Sequence, residues 1–530
     1  MRTLTLALAV MSAAFAFAET ADRKRVFLNY DDTHFADSRT IAGIDPDEAH
    51  VRDFVRKYRG TDVTDLLFCI GGRISGVPSK VKDSWCDKFH QTCENGREVC
   101  YTNHFTRLYR DLWEVKKIDI YALWIEETRK AGIRPWLSFR VNDCHNNGAP
   151  TSVLHPNFFH AHPEYRRIRH REPIDYFDRC LDFSFETVRK RELAFIAEML
   201  ERYDPDGVEI DWMREIYCFA PGRENASVLT GFMREVKKLV QSAAVRRGHP
   251  VGVLARVPSD PTTALRYGAD VTTWADEGLV DVLAPCPRWY TIDNNLPTGA
   301  WRKFLRGRNV VLAPGIETRV IGLPRRGFLT TTGQVIGAAA AFYGAGADGL
   351  YLYNYFDDPA WADPEKRYWK AKGGAFHYPF PQPQETLSLA WPNQEKWLRL
   401  VGDAGKVFAS PRQHMLTWRD TSPLGESSGP AFPAKVEKDW LRFFRLETGP
   451  VAAGRKAFVR LGVPGGKPPK RVFVNSRPCA YVGNETCEPA FTPSPLCVYE
   501  AKDYAETAAV VEVIGEDADL TLDHLDIDIR

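Results

Sequence analysis

Two acidic residues in the segment 206–214 have a spacing that places them together on a β-strand. The segment reads Asp-Gly-Val-Glu-Ile-Asp-Trp-Met-Arg, so Glu209 and Asp211 alternate with apolar residues. Successive side chains of a strand point to opposite faces, and the two carboxylates therefore share a face. A buried carboxylate is costly unless it is paired or takes part in chemistry. We therefore expect Asp211 to be catalytic, and the deeper Glu209 to be structural or to tune Asp211 by repulsion between like charges.

Other polar and aromatic residues follow further apolar runs that are predicted as strands. The first run ends in Asp31 and Asp32, and the third is followed by the segment 140–145, Arg-Val-Asn-Asp-Cys-His. Such groups suit hydrogen bonding to ligand hydroxyls, or charge pairing with an acidic or sulfated ligand. A network that only stabilises the loop is the alternative, and His145 or Asp143 could instead act as a general acid. The predicted substrate-binding residues are Asp31, Asp32, Arg73, Arg140, Asn142, Asp143, His145, Glu209, Arg214, Arg256, Trp289, Tyr290, Tyr353 and Asn354.

Eight predicted strands alternate with helical patterns, which is typical of a parallel α/β sheet. The strands are predicted at 25–31, 63–70, 133–141, 207–212, 251–257, 280–285, 309–316 and 349–355. Eight such units predict a (β/α)8 TIM barrel over residues 19–405, with a doubly wound sheet as the alternative. Long insertions at 73–109 and 142–180 follow strands, so we expect them on the catalytic face of the barrel.

The remainder of the chain has a different pattern. From residue 412 to residue 530, short alternating runs are separated by turn residues, which predicts a small all-β sandwich. This sandwich could bind glycan or could support the barrel.

The net charge and the N-terminal residues indicate which binding partners and which cellular location to expect. The formal net charge of the 530 residues is +1, so bulk charge gives no reason to expect nucleic acid or a membrane surface as a partner. Residues 1–18 have a basic start, a short apolar run and an Ala-Phe-Ala end, which predicts a secretory signal peptide. A single membrane anchor is the alternative. We expect an exported protein, periplasmic or extracellular, and no motif predicts a metal or another cofactor.

Three segments carry a resemblance to a known group of proteins. They are 183–189 (Phe-Ser-Phe-Glu-Thr-Val-Arg), 206–214, and 344–355 (Gly-Ala-Gly-Ala-Asp-Gly-Leu-Tyr-Leu-Tyr-Asn-Tyr). Together they resemble bacterial glycosyl hydrolase-like barrel proteins of the family 10-like group. Those relatives place an Asp, and an Arg three residues later, after the same strand, matching Asp211 and Arg214. The resemblance implies hydrolysis of a poly- or oligosaccharide, with retention of configuration.

The resemblance also indicates where a second carboxylate should lie. In many barrel glycosidases one acidic residue follows the fourth strand and the other follows the seventh, where this chain has Glu317. Hydrolysis needs one carboxyl group to protonate the leaving oxygen and another to act as nucleophile or base. We therefore predict Asp211 as acid/base and Glu317 as nucleophile. The reversed assignment stays open, and so do ion pairs of Asp211 with Arg214 and of Glu317 with Arg319.

Met213 separates this chain from another group of barrel enzymes. The segment 206–214 is similar in part to the DGxDxDxE strand of family 18 chitinases, but Met213 stands at the position of their catalytic acid. A thioether cannot donate that proton, so a chitinase mechanism is not expected. A barrel that binds glycan without catalysis is the rival function. The Asp31-Asp32 pair is similar to the start of polysaccharide deacetylases, but no HxxxH spacing follows it.

Overall fold

The structure is a computed structural model, and the residues that it describes exclude several segments of the chain. The described residues are 23–41, 43–93, 103–144, 154–174, 176–287, 291–323, 326–355, 388–389, 391–417, 432–486, 492, 494–515 and 518–530.

Nine strands belong to one parallel sheet. These strands are β1 Arg25–Tyr30, β2 Asp65–Gly71, β3 Arg134–Phe139, β4 Gly207–Asp211, β5 Gly252–Pro258, β6 Val282–Cys286, β7 Val311–Leu312, β8 Gly315–Ile316 and β11 Gly349–Leu352. Their order is β7-β6-β5-β4-β3-β2-β1-β11-β8. The two strands at the ends of this order, β7 and β8, are separated in the chain by only two residues, as expected for a sheet that curls into a barrel. The predicted α/β barrel is therefore confirmed.

The chain divides into two compact units, of which the first comprises the described residues of 27–285 and 304–311. It contains β1 to β6, and each neighbouring pair from β1 to β5 is parallel, with one register shift between Cys69 and Gly71 in the β2–β3 pair. These strands are almost entirely buried, which explains their nearly continuous apolar sequences. Its helices are Asp32–Ile41, Glu48–Arg56, Trp85–Cys93, Asn103–Arg110, Ile120–Lys130, Asn157–Ala161, Glu186–Arg202, Ala226–Arg247, Pro261–Arg266 and Val271–Asp276, with short π or 3-10 turns at Asp111–Val115, Pro163–Tyr165 and Tyr176–Arg179.

Two helices of this unit flank β4 in the chain, and the second of them has a capping residue at each end. The helix Glu186–Arg202 precedes β4 and the helix Ala226–Arg247 follows it. The second helix begins at Asn225, whose side chain accepts a hydrogen bond from the backbone N–H of Ser227. It ends at Gly248, where a positive φ of 75° favours glycine.

The second compact unit comprises the described residues of 23–26, 286–303 and 312–530. Its helices are Thr298–Phe304, which extends one residue beyond the unit, Thr332–Gly344, Asn393–Leu398 and Ala404–Ala409. Its antiparallel strands are β9 Arg319–Leu323, β10 Arg326–Leu329, β12 Arg412–Met415, β13 Ala434–Val436, β14 Leu441–Glu447, β15 Ala457–Gly462, β16 Val472–Val474, β17 Arg477–Pro478, β18 Ala480–Glu485, β19 Leu496–Ala501, β20 Ala508–Ile514, β21 Leu520–Leu522 and β22 His524–Ile529.

The C-terminal strands form the predicted β-sandwich. A five-stranded sheet has the order β12-β22-β15-β19-β18, and a four-stranded sheet has the order β14-β20-β16-β17. Apolar residues from both sheets, such as Val459, Ile527, Leu446 and Val511, belong to one buried cluster. Alternation of buried and exposed residues along β20 matches a sheet with one face toward the core.

Several elements differ in detail from the predictions. The predicted strand 309–316 is two short strands, because Pro314 between them has no N–H to donate to a neighbour. The predicted strand 349–355 ends at Leu352, and Asn354 has a positive φ of 51° that is incompatible with a continued strand. The hairpin of β9 and β10 was not predicted. Within the part of the chain that the structure describes, every helix is too short or too polar to span a membrane.

Candidate active site

Glu209 and Asp211 lie where the alternation along β4 places them. Asp211 is the last residue of β4, and both side chains are buried, with 0% and 1% of Glu209 and Asp211 exposed. Glu209 accepts a hydrogen bond of 2.9 Å from Asn29 Nδ2 on β1, and the same amide also donates to Ser138 Oγ on β3 at 3.3 Å. Polar side chains from β1, β3 and β4 therefore meet inside the sheet, and Glu209 has the hydrogen-bonded environment of a structural residue.

Asp211 forms its ion pair with Arg256 on the neighbouring strand β5. Arg256 Nη1 donates to the two carboxylate oxygens over 3.0 and 3.2 Å, and the two residues are opposite each other in the β4–β5 register. Both side chains are fully buried. The backbone N–H of Arg214 donates to Asp211 Oδ1 at 2.8 Å. Arg214 therefore orients Asp211 through its backbone, while Arg256 neutralises the charge.

Glu215 is a buried carboxylate that the sequence analysis did not include in the site. It is 2% exposed, and its Oε1 lies 3.4 Å from Arg214 Nη1. Met213 is also buried, with 1% exposed. Because β4 ends at Asp211, the alternation of side chains along this strand could not be extended to Glu215. In the sequence, its position directly after Arg214, a predicted site residue, was the feature that could have indicated it.

A second ion pair follows the carboxyl ends of β1 and β3. Arg140 Nη1 donates to Asp31 Oδ2 over 2.9 Å, with Arg140 almost completely buried and Asp31 partly exposed. Asp31 Oδ1 also accepts hydrogen bonds from the N–H and the hydroxyl of Thr33. Asp32 is the first residue of the helix Asp32–Ile41. The structure thus brings Asp31 and Arg140 together, and both Asp31 oxygens accept hydrogen bonds from the protein.

The residues that lead into the long insertions mainly contact backbone. Arg73 donates to the carbonyl oxygens of Asp143 and Arg179, and its Nη1 lies 2.9 Å from His155 Nδ1. Asn142 Nδ2 donates to Tyr217 O at 2.9 Å, and Asn142 Oδ1 accepts from the backbone N–H of Leu181. Such contacts are those of the loop-stabilising network that the sequence left open for Asn142 and Asp143.

In the second unit, Glu317 directly follows β8. It is 3% exposed, and its carbonyl oxygen accepts a hydrogen bond of 2.9 Å from the hydroxyl of Tyr355. Burial raises the pKa of Tyr355, and the charge of Glu317 raises it further. Tyr353 is buried, and Asn354 occupies the left-handed region noted above.

Three predicted site residues, His145, Trp289 and Tyr290, lie outside the described residues, as does the side chain of Asp32. Among the residues that are described, no group of three or more His, Cys, Asp or Glu side chains is arranged to hold a metal ion.

Comparisons with known proteins found only solved structures of low sequence identity. No protein-family model and no curated protein matches the chain. A cycloisomaltooligosaccharide glucanotransferase from Paenibacillus sp. is 9% identical, with 96% of this chain and 58% of that chain covered and a TM-score of 0.32. A GH138 enzyme targeting pectin rhamnogalacturonan II is 13% identical, with 72% and 39% covered and a TM-score of 0.38. Alpha-L-fucosidase isoenzyme 1 from Paenibacillus thiaminolyticus is 12% identical, with 94% and 97% covered and a TM-score of 0.33.

The chain spans about half the length of the first two of these proteins. All three are carbohydrate-active enzymes by name. Because the identities and TM-scores are this low, the function must be argued from the residues of this chain.

Proposed function

We propose that this protein hydrolyses glycosidic bonds in a poly- or oligosaccharide. The observation that carries the proposal is the buried ion pair of Asp211 with Arg256 toward the carboxyl ends of β4 and β5. A second pair, Asp31 with Arg140, follows β1 and β3 of the same sheet. Barrel enzymes carry their catalytic groups at this end of the strands. Carboxylates and guanidinium groups held there suit the hydroxyl groups and the glycosidic oxygen of a sugar.

The proposal gives the chemistry to two carboxyl groups. As in the sequence prediction, protonation of the leaving oxygen is assigned to Asp211 and the role of nucleophile to Glu317, and each assignment is tested by its own variant. The reversed assignment has support from the Asp211–Arg256 ion pair, because a nucleophile must be a carboxylate and a guanidinium is a suitable partner for one. In either assignment, Arg256 and the N–H of Arg214 hold the Asp211 carboxyl group in one orientation.

The second candidate function is glycan binding without catalysis. The full burial of the Asp211 side chain favours this candidate, because both of its oxygens are already engaged by Arg256. A catalytic acid must reach the glycosidic oxygen, whereas a binding protein needs only the surrounding polar groups.

One set of variants separates the two functions. Release of reducing ends would be measured with neutral, uronic and sulfated polysaccharides for the wild type, Asp211→Asn and Glu317→Gln. Loss of a carboxyl group that acts in general acid–base catalysis lowers rates by about 100-fold or more. We expect each variant to show that loss while still binding the substrate.

The control for these variants is Glu201→Gln, which alters an exposed acid in the last turn of the helix Glu186–Arg202 and should keep the wild-type rate. Circular dichroism of all four proteins would verify that they are folded. Wild-type rates in both site variants would contradict the two-carboxylate mechanism. Binding without any release of reducing ends would establish the second candidate instead.

A further inference from the structure

Four arginines beside the second insertion have no carboxylate partner among the residues that the structure describes. They are Arg73, Arg166, Arg167 and Arg179. Neighbouring arginines in the same part of the chain are paired, since Arg169 bonds Asp182, Arg171 bonds Asp178 and Arg191 bonds Glu192. Asp182, Asp178 and Glu192 are therefore engaged by other arginines. Among the described residues, the four arginines form no ion pair with a carboxylate, and Glu172 is the acid whose charge acts on Arg166.

Two of these arginines lie against one aromatic ring. The guanidinium carbons of Arg73 and Arg166 are 4.5 and 4.2 Å from the centroid of the Phe159 ring. Arg166 Nη2 also donates to the carbonyl oxygen of Phe159 at 3.1 Å, whereas its buried Nε has no hydrogen-bond partner. Stacking on a ring orients a guanidinium but leaves its charge uncompensated.

A backbone hydrogen bond joins Arg179 to the same cluster, and Arg167 follows Arg166 in the chain. Arg73 Nη2 donates to the carbonyl oxygen of Arg179 at 2.7 Å. Arg167 donates from Nε to the carbonyl oxygen of Phe219, and its guanidinium lies 4.6 Å from the Tyr217 ring centroid. Arg73 and Arg167 are buried, with 8% and 9% exposed, whereas Arg166 and Arg179 are partly exposed. The buried Arg73 thus shares the Phe159 ring with Arg166 and bonds the backbone of Arg179.

The charges of this cluster repel one another. Burial lowers the pKa of Arg166, and the neighbouring charges of Arg179 and Arg73 lower it further, whereas the charge of Glu172 raises it. The pKa of His160 is lowered in the same way. Burial of part of its ring lowers this pKa most, and the charges of Lys88, Arg166 and Arg73 lower it further. Bringing like charges together costs free energy, which a bound anion would offset.

We propose that Arg166 and Arg179, supported by the buried Arg73, bind an anionic group of the carbohydrate, either a carboxylate or a sulfate ester. Guanidinium groups bind planar or tetrahedral oxyanions through paired, charge-assisted hydrogen bonds. The carbohydrate class rests on the proposed function, whereas the requirement for an anion rests on the arginines alone.

Binding without turnover is the test of this proposal. Affinity would be measured by isothermal titration calorimetry with three probes: a neutral glucan, a polyuronate and a sulfated galactan. The wild type should bind at least one anionic probe, and should bind the glucan at least about tenfold more weakly. Arg166→Gln and Arg179→Gln should each weaken binding of the anionic probe by about tenfold, the loss expected for one charge-assisted contact.

The matched control is Arg246→Gln, which removes an exposed arginine of the first unit that makes no salt bridge and lies in the last turn of the helix Ala226–Arg247. It should bind as the wild type does. Preference for the polyuronate would identify a carboxylate, and preference for the galactan would identify a sulfate ester. Equal losses in Arg246→Gln and the site variants, wild-type affinity in both site variants, or failure of the wild type to bind either anionic probe would overturn the proposal.

These outcomes are distinct from those that test hydrolysis. A protein that binds an anionic probe through Arg166 and releases no reducing ends would retain the anion site and refute the proposed function. A protein that hydrolyses the neutral glucan and ignores both anionic probes would retain the function and overturn the anion site.

Discussion

At the residue scale, the Asp211–Arg256 pair is the most costly feature of the candidate site. Both side chains are fully buried, and the carboxylate also accepts a hydrogen bond from the N–H of Arg214. A buried ion pair adds little net stability, because desolvation of the two charges offsets their attraction. Its presence at the end of β4 is therefore better explained by a function that needs an oriented carboxylate than by stability.

Removing Arg256 should reveal the free-energy cost of burying the Asp211 carboxylate. Arg256→Met leaves the Asp211 carboxylate buried without its guanidinium, so we expect the free energy of unfolding to fall by about 3–5 kcal/mol. Urea denaturation followed by tryptophan fluorescence would measure the change. The matched control is Asp211→Leu combined with Arg256→Met, which removes both charges and should recover most of the loss. A double variant as unstable as Arg256→Met alone would show that packing, and not the unpaired charge, is responsible.

At the residue scale, the sequence could predict features that depend only on the alternation of side chains along one strand. Alternation along β4 predicted that Glu209 and Asp211 share a face, and both are buried as expected. It could not identify Arg256 as the partner of Asp211, because that contact depends on the β4–β5 register and the two residues are 45 positions apart. The catalytic roles of Asp211 and Glu317 stay a prediction.

At the element scale, the start of β4 depends on a close approach that only glycine permits. A Cβ at Gly207 would lie 2.2 Å from atoms of the Trp136 ring on β3, and the two residues are partners in the β3–β4 register. Trp136 is itself fully buried and donates from Nε1 to Asp65. The indole therefore has little freedom to move away.

Two glycine substitutions test this packing. Gly207→Ala should destabilise the protein by at least about 1–3 kcal/mol, the usual cost of overpacking. The matched control is Gly231→Ala in the middle of the helix Ala226–Arg247, where nothing lies within 4 Å of the added Cβ. That change should leave stability unaltered or raise it by up to about 1 kcal/mol, since alanine favours a helix. Thermal denaturation would measure both, and equal midpoints for the two variants would contradict the packing argument.

The sandwich contains a buried charge cluster on two neighbouring strands. Asp526 on β22 is fully buried and contacts Arg460 on β15 through Nε at 2.7 Å, and it also contacts His524. Burial alone would raise the pKa of Asp526, but Arg460 and His524 together hold it below its usual range. The folded state therefore binds a proton at Asp526 less readily than the unfolded chain does.

This cluster predicts the acid sensitivity of the sandwich. The unfolded pKa of an aspartate is about 3.9, so the stability from Asp526 is complete above that pH and is lost as the pH falls toward the lower folded pKa. Chemical denaturation at a series of pH values from about 6 to about 2 should show stability falling below about pH 4. Asp526→Asn should be less stable at neutral pH and should show a smaller decrease in acid. The same pH dependence in wild type and variant would contradict this assignment.

Element boundaries were less predictable than the presence of the elements. The alternating pattern predicted one strand over 309–316, whereas the chain pairs as β7 and then β8 around Pro314. Pattern alone also missed the hairpin of β9 and β10, where the short strands follow immediately after β8. Where a strand ends depends on its backbone hydrogen bonds, and these cannot be predicted from the spacing of apolar residues alone.

At the scale of the whole molecule, the order of elements was predictable because it follows from repetition. Strand-like runs alternate with helical patterns over most of the chain and then give way to short strands alone, and the structure has the corresponding α/β barrel and β-sandwich. The boundary near residues 405–412, export of the protein and membership of the family 10-like group stay predictions. The sugar was not predictable, because recognition depends on loop residues without a period.

The most direct test of the central claim is the mass of the products formed from a defined oligosaccharide. Mass spectrometry would be applied after incubation of a uronic, a sulfated and a neutral oligosaccharide with the wild type. Hydrolysis adds one water for each bond that is cleaved, so the account predicts paired products whose summed mass exceeds that of the substrate by one water. Products without the added water would indicate elimination, and unchanged masses for all three substrates, with one of them bound, would contradict the proposal of a hydrolase.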